Sequence, residues 1–288
     1  MNKYGLLIKK MQIHPLFWGV AGIAIITGYF WQLLYLFAIV FIHEIGHAAA
    51  AAHFGWKIKR IMILPFGGTC EVDEHGNRRL KEDLIVIIAG PLQNVLIAAL
   101  IPVFVMLSFL PADVAKEISQ YNLMILLFNL IPIWPLDGGK LVQLYLSTQH
   151  AYKKACRLSL MSSFIVLLVL HVMILLFSPL NINVWLVLLY LDIILWTEWK
   201  QQRYVFMRFL LERHYGKNLS FSQLQAIDAK GEEYLHEVLD KFKRGCKHLI
   251  YVGGKNNSLG KLDENEILHA YFTEKRVSAQ LKDLVYND

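Results

Sequence analysis

Six apolar segments dominate this sequence, and they lie at residues 14–30, 32–54, 84–110, 120–146, 158–178 and 183–199. Most of them approach the ~20 residues that a helix needs to cross the hydrocarbon core of a bilayer. Hydrophobic residues make up 56% of the chain and charged residues 18%, whereas soluble domains have ~45–50% and ~25%. The sequence therefore predicts an α-helical polytopic membrane protein with six transmembrane helices.

Basic residues cluster in the connections that lie on one side of the predicted membrane, at residues 9–10, 57–60, 78–81, 153–157 and 200–203. Lys116 is the only basic residue between spans on the other side. By the positive-inside rule the clustered residues face the cytoplasm, so both termini are predicted to be cytoplasmic. These loops also explain the net charge of +6, and no nucleic-acid partner is predicted.

A metal-binding signature, His43-Glu44-Ile45-Gly46-His47, lies inside the second apolar segment. Residues four apart on a helix project from one face, so the two imidazoles can share one Zn²⁺ ion. Glu44 is then placed to polarise and deprotonate a water molecule. Because idle ionisable side chains are costly at membrane depth, we interpret the signature as a catalytic zinc site rather than as two buried structural histidines.

A catalytic zinc ion usually has three protein ligands and one open position. His53 has the spacing of the long zincin signature, but the alanines at 48–52 favour an unbroken helix that turns His53 away. Asp192 is an intramembrane carboxylate in the sixth segment that can pair within the bundle. Asp137 lies where two prolines and a glycine pair break the fourth segment, at a depth close to that of His47. Asp137 is therefore predicted to be the third ligand.

Two further stretches predict contacts with an extended peptide. Residues 56–72 alternate β-branched and polar residues and then turn at Gly67-Gly68, which predicts a β-hairpin between the second and third spans. Its edge can pair with a peptide by strand addition. In the broken fourth segment, Asn129 is predicted to bind a substrate carbonyl or the oxyanion formed during attack, and Pro135 is a second candidate for substrate binding. Asn94, in the third span, is assigned to interhelical hydrogen bonding.

The composition changes to that of a soluble protein from about Lys200. The predicted domains are a membrane domain at 1–199, a helical linker at 200–223 and a cytoplasmic α/β module at 224–288. Within the module the pattern predicts a strand, a helix, two strands and a capped helix, at residues 224–227, 231–243, 248–252, 259–262 and 263–271.

Three motifs occur in successive spans, namely His43-Glu44-x-x-His47, Gly90-Pro91-x-x-Asn94, and Asn129-x-x-Pro132 with Asp137-Gly138. Together they resemble the site-2 protease family of intramembrane zinc metalloproteases, over roughly residues 30–150. The resemblance implies that family's fold, one catalytic zinc ion, and cleavage of membrane-tethered regulator precursors near or within the bilayer. The stretch that includes Phe66 and Gly67 also resembles the hairpin that clamps substrate in this family.

The C-terminal module resembles a single CBS domain, and this combination is similar to the sporulation branch of the family. For that branch the resemblance implies a substrate of the pro-sigma-factor type, membrane-embedded inhibitor proteins, and a place in the mother-cell membrane around the forespore. The CBS resemblance implies binding of ATP or another adenine nucleotide, and a homo-oligomer formed through the module.

Two other functions could use the same residues. A metal transporter or sensor would need ionisable residues along a path through the bundle, whereas here they cluster at one depth. An inactive scaffold would not need the carboxylate of Glu44. Both are less consistent with the sequence than a zinc-dependent intramembrane endopeptidase.

Overall fold

The computed structural model describes residues 11–13, 15–64, 67–72, 76–216, 223–253 and 260–285. The helices in these ranges are α1 (Pro15–Thr27), α2 (Phe30–His53), α3 (Leu80–Met106), α4 (Ala112–Leu130), α5 (Asp137–Gln149), α6 (Tyr152–Phe177), α7 (Ile182–Tyr215), α8 (Leu235–Leu239), α9 (Glu264–Phe272) and α10 (Lys282–Val285). One sheet has the order β1 (Met11–Ile13), β2 (Ile58–Leu64) and β3 (Gly67–Val72), and a second has the order β4 (Gln223–Ala229), β5 (Cys246–Val252) and β6 (Gly260–Asp263).

Four helices in the described ranges are long and apolar enough to cross a membrane: α2, α3, α6 and α7. The first apolar segment forms α1, a shorter helix of 13 residues. The fourth segment is divided between α4 and α5, because the chain leaves the helix at Leu130 and re-enters it only at Asp137. The predicted break in this segment is therefore present, and the count of six spans stays a prediction.

Helix α2 carries the metal-binding signature on its buried face. That face includes Ile39, Val40, His43, Glu44 and His47, with the spacing of three to four residues that one side of a helix requires. The alanines that follow the signature continue the helix without a break, as their high helix propensity predicts. His53 consequently ends α2 as an exposed residue.

The predicted β-hairpin is present, since β2 and β3 are antiparallel. The predicted turn at Gly67-Gly68 is wrong, because Gly67 pairs with Leu64 and Gly68 with Ile63 inside the ladder. Phe66 lies outside the described residues. The sheet also contains β1, which runs parallel to β2 and was not predicted from the sequence. Three residues are too few to carry a readable alternation, so only the pairing with β2 reveals this strand.

The described residues fall into two compact units, one within 1–74, 81–141 and 171–189, and one within 75–80, 142–170 and 190–288. The predicted domain limits at residues 199 and 223 stay predictions. The composition does change near Lys200, but α7 continues through that point to Tyr215. The later part of α7 contributes Phe206, Phe209 and Leu210 to the hydrophobic core of the second unit.

The C-terminal module has the predicted order of strand, helix, strand, strand and helix. Strands β4 and β5 are parallel, whereas β5 and β6 are antiparallel. The first helix is shorter than predicted, with α8 covering only five residues. Helix α9 begins with a capping box in which Asp263 and Glu266 each cap the other's backbone N–H, as its sequence predicts.

A buried ionic network lies in the second unit, around Arg213 near the end of α7. Its guanidinium contacts the Glu264 carboxylate and donates to the carbonyl oxygens of Lys243 and Cys246. Glu264 also accepts hydrogen bonds from the backbone N–H of His248 (2.8 Å) and from its Nδ1 (2.9 Å). Burial lowers the pKa of His248, so this ring is neutral at pH 7 and Arg213 supplies the charge that matches Glu264.

Replacing Arg213 with methionine is expected to destabilise the second unit strongly. The substitution would leave Glu264, whose side chain is 2% exposed, without its cation, and breaking a buried ion pair costs about 3–5 kcal/mol. Lys153→Met is the control, because it breaks an exposed pair with Asp240 and such pairs contribute about 0–1 kcal/mol. The rate of limited proteolysis of the purified chain in detergent measures the difference. Equal rates for the two variants would contradict a stabilising role of the network.

Candidate metal centre

His43 and His47 lie one turn apart on the buried face of α2, with their side chains directed to the same point. Their Nε2 atoms are 3.1 Å apart, and the residues are 2% and 5% exposed. This arrangement follows from the i, i+4 spacing, which places both imidazoles on one side of the helix.

Asp137, the first residue of α5, brings its carboxylate to the same point from a different part of the chain. Its Oδ2 atom lies 3.1 Å from Nε2 of His43 and 3.2 Å from Nε2 of His47. The other oxygen, Oδ1, lies 3.0 Å from the ammonium group of Lys140, three residues later on α5. The break between α4 and α5 therefore places the carboxylate at the start of a helix, where it meets α2.

The second nitrogen of each imidazole faces an oxygen atom. Nδ1 of His43 lies 2.9 Å from Oδ1 of Asn94, and Nδ1 of His47 lies 2.8 Å from the backbone carbonyl of Val86. A carbonyl oxygen can only accept a hydrogen bond, so each Nδ1 carries the proton. In the neutral rings both Nε2 atoms then present a lone pair to one another and to the carboxylate of Asp137.

Three electron-pair donors in this arrangement suit a bound metal ion. Without a cation the two Nε2 atoms and Oδ2 of Asp137 would repel one another at 3.1–3.2 Å. Tetrahedral zinc with ligands at 2.0–2.1 Å places neighbouring ligand atoms about 3.3 Å apart. The two imidazoles and one carboxylate are also ligand types that zinc prefers, and their outer hydrogen bonds are those usual around metal-binding histidines. The residues present therefore fit one zinc ion.

Gly90 on α3 leaves open the space beside the two imidazoles. A Cβ atom at this position would lie 2.8 Å from Nε2 of His43 and closer still to Nε2 of His47. Both distances are shorter than a non-bonded contact allows, so any larger residue would enter the space between the donor atoms. The site therefore requires glycine at position 90.

Glu44 is buried beside the two histidines and is 5% exposed. Its carboxylate and the imidazoles of His43 and His47 offer ligand atoms that all lie within 4.8 Å of one another. Gly68 of β3 packs on this side chain, because a Cβ there would lie 2.7 Å from Oε1 of Glu44. The hairpin predicted from the sequence therefore meets the site at Glu44.

The candidate substrate-binding residues and the alternative carboxylate lie on other elements of the fold. Asn129 lies on α4 and donates a hydrogen bond from Nδ2 to the carbonyl of Ile125, at 3.1 Å. Gly67 begins β3, and Pro135 lies in the connection between α4 and α5. Asp192, the alternative carboxylate, lies on α7.

Sequence reasoning missed three contributors to this centre. The sequence predicts Gly90 only as part of a motif, Asn94 as part of the same motif and as an interhelical contact, and no role for Asn122 on α4. Asn122 is 2% exposed and donates a hydrogen bond to the backbone of Asn94. An amide at membrane depth is a signal that could have drawn attention to Asn122, but its partner lies 28 residues away.

Comparisons with known proteins identify the family that the chain is similar to. A family model described as peptidase family M50 matches residues 31–120 and 114–170. The chain is 45% identical over 285 residues to stage IV sporulation protein FB of Bacillus subtilis, with 99% of both chains covered. It is 32% identical over 146 residues to a zinc metalloprotease of Methanocaldococcus jannaschii, covering 49% of this chain and 42% of that protein.

A solved structure gives the same result for the fold. The site-2 protease from Methanocaldococcus jannaschii superposes with a TM-score of 0.53 at 28% identity, covering 65% of this chain and 89% of that one. The four long apolar helices and these matches agree with the resemblance found in the sequence motifs. The chain is therefore an integral membrane protein of the site-2 protease family, peptidase family M50.

Proposed function

We propose that this protein is a zinc-dependent intramembrane endopeptidase that hydrolyses a peptide bond in a membrane-tethered regulator precursor. One observation carries the proposal: two imidazoles and a carboxylate from separate segments converge with a second buried carboxylate beside them. A purely structural metal site would have no use for the second carboxylate, whereas hydrolysis needs a base.

His43, His47 and Asp137 are proposed to hold the zinc ion. Asp137 is preferred over Glu44 as the carboxylate ligand because its Oδ2 lies 3.1–3.2 Å from both Nε2 atoms. When bound, zinc would act as a Lewis acid that polarises the scissile carbonyl and lowers the pKa of its bound water towards ~7. Lys140 holds the second oxygen of Asp137, which leaves one oxygen of this carboxylate directed at the histidines.

Glu44 is proposed to act first as the general base and then as the general acid. Its carboxylate accepts a proton from the attacking water and then donates one to the leaving amine. Burial between α2 and β3 keeps this carboxylate beside the histidines, because Gly68 packs directly on it. Among the described residues, Glu44 is the acidic side chain whose ligand atom lies within 4.8 Å of those of both histidines in one mutual group. Asp137 contacts both histidine rings separately.

The substrate is proposed to bind as an extended strand, since a helical backbone has its own hydrogen bonds occupied. Strand β2 pairs with β3 along one edge, and its other edge pairs with β1 at Ile61–Ile63. The outer edge of β3, which begins at Gly67 and meets Glu44 through Gly68, is the edge that strand addition would use. Phe66, Asn129 and Pro135 remain candidates for contacts with the same peptide.

The similarity to a sporulation protein of Bacillus subtilis, over 99% of both chains, supports a substrate of the pro-sigma-factor type. On the same ground we propose membrane-embedded inhibitor proteins as partners, and the mother-cell membrane around the forespore as the location.

Six spans are proposed from the apolar segments, and both termini are proposed to be cytoplasmic from the distribution of basic residues. The module at 224–288 is proposed to be a CBS-like domain that binds an adenine nucleotide and forms homo-oligomers, an assignment supported by its order of strands and helices.

Zinc content distinguishes Asp137 from Asp192 as the carboxylate ligand. Wild type purified in detergent should contain about one zinc ion per chain, and Asp137→Ala should lose most of it together with release of a co-expressed membrane-tethered precursor. Asp192→Ala should keep the zinc, because Asp192 is not proposed as a ligand. Zinc retained by Asp137→Ala and lost by Asp192→Ala would overturn the assignment, and a wild type that releases no tethered precursor would overturn the proposed function.

A further inference from the structure

Asn94 on α3 and Asn122 on α4 form a reciprocal pair inside the first unit. The Asn122 side-chain amide donates to the backbone carbonyl of Asn94 at 2.8 Å, and the Asn94 amide donates to the carbonyl of Asn122 at 3.4 Å. The residues are 0% and 2% exposed. Each side chain thus holds the other residue's backbone, and the two helices are fixed to one another at this level.

This exchange determines which way the Asn94 amide points. Its NH₂ group faces the carbonyl of Asn122, which can only accept a hydrogen bond. Rotating the amide by half a turn would bring two oxygen atoms together and lose the bond. The carbonyl oxygen of Asn94 must therefore face Nδ1 of His43, at 2.9 Å.

The orientation of Asn94 in turn fixes the protonation of His43. An oxygen acceptor at Nδ1 requires the proton there, so Nε2 is free to donate its lone pair to a metal ion. His47 obtains the same tautomer from the backbone carbonyl of Val86. A substitution at Val86 would leave this backbone acceptor in place. A substitution at Asn94 can remove the acceptor of His43, because that acceptor is a side-chain oxygen.

We propose that Asn94 is a positioning residue that holds His43 in the metal-binding tautomer, with Asn122 holding Asn94 in place. The inference rests on the proposed zinc site. An interhelical contact alone would be satisfied by the exchange between the two asparagines. The third hydrogen bond, from His43 to the Asn94 oxygen, is the one that links this pair to the metal centre.

The test measures zinc affinity of the full chain in detergent by competition with a chromogenic chelator. Asn94→Leu keeps the shape of the side chain without its hydrogen bonds and should weaken zinc binding by about 10–100-fold. Asn94→Asp keeps an oxygen acceptor for Nδ1 but loses the hydrogen bond to the carbonyl of Asn122, so it should bind zinc more tightly than Asn94→Leu and less tightly than wild type. Asn122→Leu should cause a smaller loss, of ~10-fold, since the Asn94 amide can still donate to the backbone of residue 122. Ser119→Ala is the control, because it removes a hydrogen bond made within α4 and should leave zinc affinity unchanged.

A second measurement reports the tautomer without metal. Histidine-selective ¹⁵N NMR of the zinc-free protein should place the His43 proton on Nδ1 in wild type and Asn94→Asp, and should show a tautomer mixture in Asn94→Leu. A structural role in helix packing would leave this signal unchanged.

Wild-type affinity in Asn94→Leu would overturn the proposal, and so would an Asn94→Asp variant as weak as Asn94→Leu. If wild type bound no zinc, the proposed function and this inference would both fail. If wild type bound zinc while His43 kept its tautomer in Asn94→Leu, only the inference would fail. Wild-type affinity in Asn122→Leu would remove Asn122 from the proposal.

Discussion

Glu44→Gln is expected to lose nearly all peptide cleavage while keeping its zinc. Glutamine has the same shape but cannot accept the proton of the attacking water, and general acid–base catalysis contributes about 10²–10⁴-fold to enzyme rates. Zinc should remain because His43, His47 and Asp137 are unchanged and the Glu44 carboxylate is not one of the proposed ligands. The measurement is release of a membrane-tethered precursor by purified protein, together with its zinc content.

The control for this substitution is Glu82→Gln. Glu82 lies in the first turn of α3 and accepts a hydrogen bond from the Trp56 indole, which a glutamine oxygen can also accept. This variant should cleave at the wild-type rate. Glu44→Gln with wild-type cleavage would show that another group is the base. A variant that lost both zinc and cleavage would instead make Glu44 a ligand.

Gly90→Ala is expected to abolish zinc binding and, as a consequence, cleavage. The added methyl group would lie 2.8 Å from Nε2 of His43 and nearer to Nε2 of His47. Neither ring can turn aside without breaking its outer hydrogen bond to Asn94 or Val86. In a helix interior alanine is favoured over glycine by about 0.8–1.0 kcal/mol, so lost helix propensity would not explain the effect.

Gly22→Ala provides the matched control for this second prediction. Gly22 lies in α1, and a Cβ atom there would meet no other atom within 4 Å. Its zinc content, measured on purified protein by elemental analysis, should equal that of wild type. Circular dichroism and gel filtration would establish that both variants are folded. Full zinc occupancy in folded Gly90→Ala would mean that the space beside the imidazoles is not where the ion binds.

The broad features of the fold could be predicted from local sequence. Long apolar runs identified the helices, prolines identified the break between α4 and α5, and alternating residues identified the β2–β3 hairpin. The prediction failed where a feature depends on a partner. The turn was placed at Gly67-Gly68 because glycines favour turns, but the register with β2 includes both glycines in the ladder. The domain limits at residues 199 and 223 stay predictions, and α7 runs without a break through residue 199.

The candidate site divides in the same way. The sequence by itself determined that His43, Glu44 and His47 share one helix face, because the geometry of a helix fixes the positions of residues three and four apart. The broken fourth segment also led to the prediction of Asp137, but only the tertiary structure brings its carboxylate to the histidines, since His43 and Asp137 are 94 residues apart. The tertiary structure also decided that Gly90 leaves space for the ion and that Asn94, 51 residues from His43, holds its imidazole. Such contacts depend on how separate helices pack against one another. The periodicity of residues within one segment does not predict that packing.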